Sequence, residues 1–449
     1  MTTKLSRRKM LSLLGGAGLA GGAGLLSSCG GGGGGAGTAA SSSVVTSNTC
    51  TLTGTAAPVA SGTTELIATD LLQTTLANQA ATYRNVDRLY PVRTMNKGAS
   101  PSVLAQHPRS LCTLQYAYGG NNYTLSDYFT RNRTAGLLIL KNGAIALEQY
   151  AMGNSASTRW TSFSVAKSVT STLVGAAFND GRIGSLSDTV ERYLPTFAGT
   201  AYAQNTIQDL LTMTSGIAWD DTATASGPGT LSALLAAAKT GTPDAALNVM
   251  RNCTRRVPAG TDFNYSTGET YLLGAIVVAA TGKLSDYFSE KIATPMGMET
   301  DGYWILDSLT GREMGGNNFS ATLRDYARFG QFFLRDGSAG AARVLPVGWR
   351  DLASQPSNAA TRHGNLVFSY QLGYGYQWWS FPTGANAIAQ GLPMHDGAFT
   401  AQGVYGQYLY INPKEDAVAV VWSAIRNAQV GAYEFETYAL IAAALTALR

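Results

Sequence analysis

Ser164 and Lys167 stand three residues apart in Thr161-Ser162-Phe163-Ser164-Val165-Ala166-Lys167-Ser168. On a helix, positions i and i+3 share one face, about 5–6 Å apart. An ammonium held beside a serine hydroxyl can help form or stabilise an alkoxide. If Ser164 opens the helix, its backbone N–H has no intrahelical partner, and the positive helix end favours developing negative charge. One short segment could then supply a nucleophile, its activator and half of an oxyanion hole. Two other places carry groups that could join it. Tyr265, in Phe263-Asn264-Tyr265-Ser266-Thr267-Gly268, could act as a general base if a nearby ammonium favours its charged form. His395-Asp396-Gly397 offers a titratable ring and a glycine that lets backbone approach a ligand closely. There the N–H of Ala398 could be the second oxyanion donor. Taken singly, these features also fit a solvated helix face, a packed tyrosine and a hydrogen-bonded loop histidine.

The segment after Ser164 changes the balance. Val165, Val169, Leu173, Val174, Ala176, Ala177 and Phe178 are apolar, and Ser168, Ser171, Thr172 and Gly175 are small. A helix with so few charges on any side belongs in a core. Asn179-Asp180-Gly181 ends it. A lysine at the start of a core helix is costly unless it is engaged.

Strands are expected at both ends of the chain. Gly136–Leu140 and Ala144–Tyr150 flank Lys141-Asn142-Gly143, and Asn-Gly between apolar runs is a strong hairpin signal. Tyr374–Trp379, Gln402–Ile411 and Ala417–Trp422 read as late strands. The last two are joined by the polar turn Asn412-Pro413-Lys414-Glu415-Asp416. Thr64–Tyr83 reads as helix, followed by a loop-like stretch to Tyr123. The middle reads as helices: Ile207–Thr212 with Thr206 and Asp209 as caps, then Leu231–Lys239, Ala245–Arg251, Thr270–Ala280, Ser285–Ala293 and Leu323–Leu334. Ser320 or Thr322 would cap the last of these, and Glu434–Leu448 closes the chain. Neighbouring strands of one sheet must therefore come from distant parts of the chain. The fold class is α/β plus all-α. An antiparallel sheet flanked by helices is built from both ends (about 62–180 and 340–449), with a helical domain inserted (about 181–339).

Residues 1–29 read as an export signal. Lys4, Arg7, Arg8 and Lys9 precede an apolar stretch from Met10 to Leu26, too short and glycine-rich to be a good spanning helix. Ser6-Arg7-Arg8-Lys9-Met10-Leu11 resembles a twin-arginine signal. Leu26-Ser27-Ser28-Cys29 resembles a bacterial lipobox, which makes Cys29 the expected lipidated first residue. Gly30 after it is compatible with transfer to an outer membrane. Residues 30–61, rich in Gly, Ala, Ser and Thr, read as a flexible tether. Membrane contact is therefore expected through a lipid anchor, on the periplasmic side.

Of 449 residues, 45% are hydrophobic and 13% charged, with a formal net charge of +4. The mature chain has no basic run, so nucleic acid is not an expected partner. Only His107, His363 and His395 are histidines. No Cys-x-x-Cys or His-x-x-x-His occurs, so neither a metal nor an organic cofactor is expected. Cys50, Cys112 and Cys253 remain after Cys29. Two of the three can pair in an exported protein, and the sequence does not say which.

Ser164-x-x-Lys167, Tyr265-Ser266-Thr267 and His395-Asp396-Gly397, in that order, resemble the serine hydrolases of the class C β-lactamase type. That family includes DD-peptidases, carboxylesterases and 6-aminohexanoate-dimer hydrolase, and the Trp160–Ser168 segment is most similar to the last. Leu210–Ile217 and Gly373–Trp379 also look like family landmarks. The resemblance implies Ser164 as acylated nucleophile, with Lys167 and Tyr265 sharing proton transfer. It places His395, Gly397 and Ala398 on the strand edge at the site, with the Ser164 and Ala398 N–H groups as oxyanion hole. Two departures stand out. Thr267 replaces an asparagine found in family lactamases, and His395 replaces a lysine that helps bind the lactam carboxylate. A histidine is a weaker, pH-dependent cation. The resemblance therefore implies cleavage of a small-molecule ester or linear amide. The alternatives are a β-lactamase or DD-peptidase-like activity, or a cell-envelope binding protein that keeps the fold without turnover.

Overall fold

The computed structural model describes residues 48–449 apart from 51, 53–55, 61, 223–226, 228, 341, 364–371 and 429–430. Residues 1–29, the expected export signal with Cys29, lie outside the described residues. In chain order, the strands that frame the site are β1 (Val92–Met95), β2 (Thr134–Lys141), β3 (Ala144–Tyr150), β4 (Trp160–Thr161), β5 (Gly302–Ile305), β6 (Phe319–Ala321), β7 (Gly373–Tyr374), β8 (Trp379–Ser380), β9 (Phe399–Gly403), β10 (Gln407–Asn412) and β11 (Ala417–Ser423). The helices are α1 (Val165–Asn179), α2 (Ile207–Leu211), α3 (Thr267–Thr281), α4 (Leu323–Leu334) and α5 (Gly431–Leu448).

The Asn142-Gly143 turn joins β2 to β3. Both residues have positive φ, 52° and 76°, the twist that a tight hairpin needs. β2 is buried at every position, because both of its faces are covered. Leu138 and Leu140 pack into one apolar cluster with α1 and α4, while Leu137 and Ile139 pack into another with α5. A strand covered on both faces reads as a continuous apolar run. β2 and β3 then join the late strands. The seven-stranded sheet runs β7-β8-β9-β10-β11-β2-β3, and every neighbour is antiparallel. The two chain ends build one sheet, as expected.

Four expectations are corrected. Within Thr64–Tyr83 only Gln79–Arg84 is helical. Upstream, side chains compete for the backbone: Asp70 Oδ1 accepts the Leu72 N–H and Asn78 Oδ1 accepts that of Thr75. The stretch before Tyr123 is not all loop, since β1 lies there and Gln115–Tyr118 pairs with Asn121–Thr124. The middle region is not all helical. β5 and β6 pair with β1 and β4 to form a second, four-stranded sheet. α4 also leans on the main sheet; a Cβ on Gly330 would lie 2.6 Å from Val418 Cγ1. Finally, Tyr374–Trp379 is not one strand. β7 and β8 are paired halves of a turn in which Gln377 has φ 64°.

Residues 30–61 are not all free tether, and residues 30–47 lie outside the described residues. Asn48 is buried, and its Nδ2 donates to the carbonyls of His107 and Ile145. Cys50 is bonded to Cys112, 62 residues away, and among the described residues Cys253 is a buried free thiol. Residues from Asn48 onward thus include parts of the folded unit.

Candidate active site

β4 ends at Thr161, and the chain then turns sharply into α1. Phe163 sits in the left-handed region, φ 47°, a conformation costly for a bulky side chain unless the surroundings hold it. They do so here. Its ring packs edge-on against Tyr83, with centroids 4.9 Å apart, and tilts against Tyr405 at 5.4 Å. Its carbonyl accepts from the Asn318 N–H. The bend delivers Ser164 to the N-cap position of α1, at the edge of a cleft of about 820 Å³.

Lys167 lies one turn in and is 1% exposed. Its Nζ donates to Ser164 Oγ (2.9 Å), Thr267 Oγ1 (2.8 Å) and the Gly316 carbonyl (2.9 Å). Three protons meet three acceptors, which a buried ammonium requires. Gly316 is needed for that approach, since a Cβ there would come within 2.5 Å of the Thr267 carbonyl. Burial pulls the ammonium down to about 8, and the charge of Asp221 resists that pull.

α3 begins at Thr267, so Tyr265 sits just before its N-terminus. The phenol hydrogen-bonds to Ser164, its ring stacks on Trp379, and Lys167 Nζ lies 4.9 Å from the ring centroid. The expected easing of its ionisation is not found. Burial first, and then the charge of Asp221, push its pKa well above the ordinary phenol value, outweighing the Ser164 hydrogen bond. Tyr265 is therefore a neutral phenol, suited to give a proton rather than to hold a charge.

Asp221 escaped the sequence reading. Its Oδ1 accepts from the Thr267 N–H (2.7 Å) and from Trp219 Nε1 (2.8 Å), and its Oδ2 accepts from Thr267 Oγ1 (3.0 Å). A carboxylate at a helix start is favoured by the helix dipole. Thr267 thus passes a hydrogen bond from Lys167 to Asp221, which makes it an anchor for the lysine. No motif marks Asp221; the only signal is a pair of acids following Ile217-Ala218-Trp219.

His395, Gly397 and Ala398 are not brought to Ser164. β9 has its Gly403 end at the cleft, and they lie beyond its other end. His395 is buried, stacked on Phe381 at 5.0 Å, and its Nδ1 shares a hydrogen bond with the Tyr410 hydroxyl. Burial lowers its pKa to about 4, so it is neutral near pH 7 and offers no cation. The Ala398 N–H already donates to the His395 carbonyl at 2.9 Å. A Cβ on Gly397 would face Lys414, which lies in the β10–β11 turn.

The backbone beside Ser164 comes instead from Gly403 and Val404. A Cβ on Gly403 would stand 2.4 Å from the Ser162 carbonyl, so only glycine lets the strand end approach the nucleophile segment. Among the described residues, the N–H groups of Ser164 and Val404 have no hydrogen-bond partner. The signal that could have found them is the pair Gly403 and Gly406 around a three-residue hairpin loop.

An antiparallel sheet built from both chain ends, a Ser-x-x-Lys helix start and a tyrosine facing it define a serine hydrolase of the β-lactamase fold. The family model described as "Beta-lactamase" matches residues 126–443, and the chain belongs to that family. It is 28% identical over 299 residues to the 6-aminohexanoate-dimer hydrolase of Paenarthrobacter ureafaciens, covering 65% of this chain and 72% of the relative. Among solved structures, a Bacillus anthracis protein assigned as a 6-aminohexanoate-dimer hydrolase superimposes with a TM-score of 0.70 at 23% identity. That match covers 82% of this chain and 94% of the other. EstCE1, a hydrolase with promiscuous acyltransferase activity, superimposes with a TM-score of 0.56 at 17% identity, covering 70% and 95%. Both likenesses concern the fold.

Proposed function

We propose that this serine hydrolase cleaves esters or linear amides through an acyl-enzyme on Ser164. One observation carries the assignment: buried Lys167 spends one of its three hydrogen bonds on Ser164 Oγ while burial brings its pKa near 8. In its neutral form Lys167 takes the Ser164 proton as Oγ bonds to the acyl carbon. The carbonyl oxygen, now negative, faces the N–H groups of Ser164 and Val404. As the intermediate collapses, Tyr265 gives its proton to the departing alcohol or amine, and Lys167 returns the proton it holds to the phenolate. Water then attacks the acyl carbon, losing its proton to Lys167; as the acyl–Oγ bond breaks, Lys167 passes that proton to Ser164 Oγ, and the acid departs from a restored site.

The cleft disfavours β-lactams. Among the described residues, no Lys, Arg or His lines it, so a lactam carboxylate would meet no cation beyond Lys167 behind Ser164. A pocket that lacks a required partner discriminates strongly. Short-chain esters should turn over readily, linear amides more slowly, and penicillins or cephalosporins poorly. The test is kcat/KM on one representative of each. A cephalosporin that outpaced every short ester would contradict the reading.

The same proposal includes export and a lipid anchor at Cys29, on the periplasmic side of a bacterial membrane. The Cys50–Cys112 disulfide supports an oxidising compartment. Mass spectrometry of membrane-extracted protein should find acylated Cys29; a chain cleaved elsewhere with an unmodified end would contradict it.

A further inference from the structure

The wall of the cleft past the oxyanion position is built by Gln402, Tyr408, Trp379 and Glu434. Gln402 precedes Gly403 and lies opposite Tyr408 in the β9–β10 ladder. Glu434 reaches the same wall from the first turns of α5. Its Oε1 takes two hydrogen bonds, from Gln402 Nε2 (3.0 Å) and the Tyr438 hydroxyl (3.0 Å). Both donors are neutral. Burial raises the carboxyl above its usual range, and no cation opposes the rise. Tyr408 lies close enough to feel the charge of Glu434. Across the cleft, the other charged lining groups among the described residues are Asp220 and Asp221. Asp221 is fully engaged by Trp219 and Thr267.

A carboxylate held by neutral donors, beside aromatic faces, in a cleft with no basic lining residue among the described residues, is the surrounding that attracts an organic cation. We propose that Glu434 is a specificity-determining residue that seats an ammonium group of the substrate against the Tyr408 and Trp379 rings. Gln402, which donates to Glu434, stands two residues before Val404 at the same strand end, so the cation would be carried a few bonds from the scissile carbonyl. This rests on the hydrolase reading for its catalytic consequence, but not for the binding itself.

Two esters matched in shape test it: acetylcholine, with a trimethylammonium head, and 3,3-dimethylbutyl acetate, with the uncharged isostere. The wild type should favour the cationic ester in kcat/KM by about tenfold or more, the size of one partly desolvated cation contact. In Glu434→Gln, which keeps an oxygen for Gln402 and Tyr438, that ratio should fall toward one, with the loss mainly in KM. Calorimetry with phenyltrimethylammonium provides a readout that does not need turnover. The wild type should bind it and Glu434→Gln should bind it at least several-fold more weakly. If both esters turn over at equal kcat/KM in the wild type, the cation seat is overturned and the hydrolase reading stands. If neither ester turns over but phenyltrimethylammonium binding depends on Glu434, the seat stands and the hydrolase reading falls. Equal binding by wild type and variant overturns the seat.

Discussion

The two ends of β9 each lie near a buried, titratable side chain, and the two surroundings differ. Near the Gly403 end stands Lys167, one of whose acceptors, Ser164 Oγ, borders the cleft. Beyond the Phe399 end stands His395, whose ring stacks on Phe381 and bonds Tyr410 inside an apolar cluster. Burial lowers both pKa values, one to about 8 and the other to about 4. The shift alone therefore does not mark a catalytic group. What separates them is where the hydrogen bonds lead. Those of Lys167 lead to a nucleophile and, through Thr267, to Asp221; that of His395 leads to a core tyrosine.

The comparison breaks most visibly at the Lys167 end. Lys167→Ala and Tyr265→Phe should each slow ester hydrolysis on the order of 10²–10⁴-fold, the usual loss when a general acid or base is removed. If the two act as one unit, the double variant should be little worse than either single one. Steady-state kinetics on a short ester reads both. Fully additive losses would assign them to separate steps.

A smaller effect is expected one bond further back. The charge of Asp221 raises the pKa of Lys167, so Asp221→Asn should lower it. Activity rises with pH as Lys167 loses its proton, so the ascending limb of kcat/KM, near pH 8 in the parent, should move to lower pH in the variant. Thr267 would keep an acceptor in the asparagine oxygen, and the rate at the plateau should fall by about tenfold at most. A limb that stayed in place, or moved up, would remove Asp221 from the control of Lys167.

The smallest change belongs to the other end of β9. His395→Gln should leave kcat/KM within about twofold, while thermal unfolding reports a loss of about 1–2 kcal/mol from the Tyr410 hydrogen bond and the ring packing. A large catalytic loss without loss of stability would return His395 to the site.

These contrasts also show what could be read from the chain. The Asn142-Gly143 hairpin, the span of α1 and the capping box of Thr206 with Asp209 follow from local rules, so they were legible. So was the pairing of Ser164 with Lys167, because helical spacing fixes it. Tyr265 was legible as a site residue through its place between a turn and a helix, but its pKa was not, since burial and Asp221 decide it. Asp221 and Val404 act through contacts between distant loops, and no spacing rule encodes those. The Cys50–Cys112 pair likewise spans 62 residues. His395-Asp396-Gly397 misled because three residue types suited to a site sit beyond the wrong end of the right strand.

The central claim is that Ser164 is acylated. Rapid quenching of the wild type during turnover of a slow ester, followed by peptide mass mapping, tests it directly. The account predicts one acyl group on the peptide carrying Ser164, absent in Ser164→Ala, which should also lack turnover while remaining folded. Continued turnover by Ser164→Ala, or an acyl group found on another residue, would contradict it.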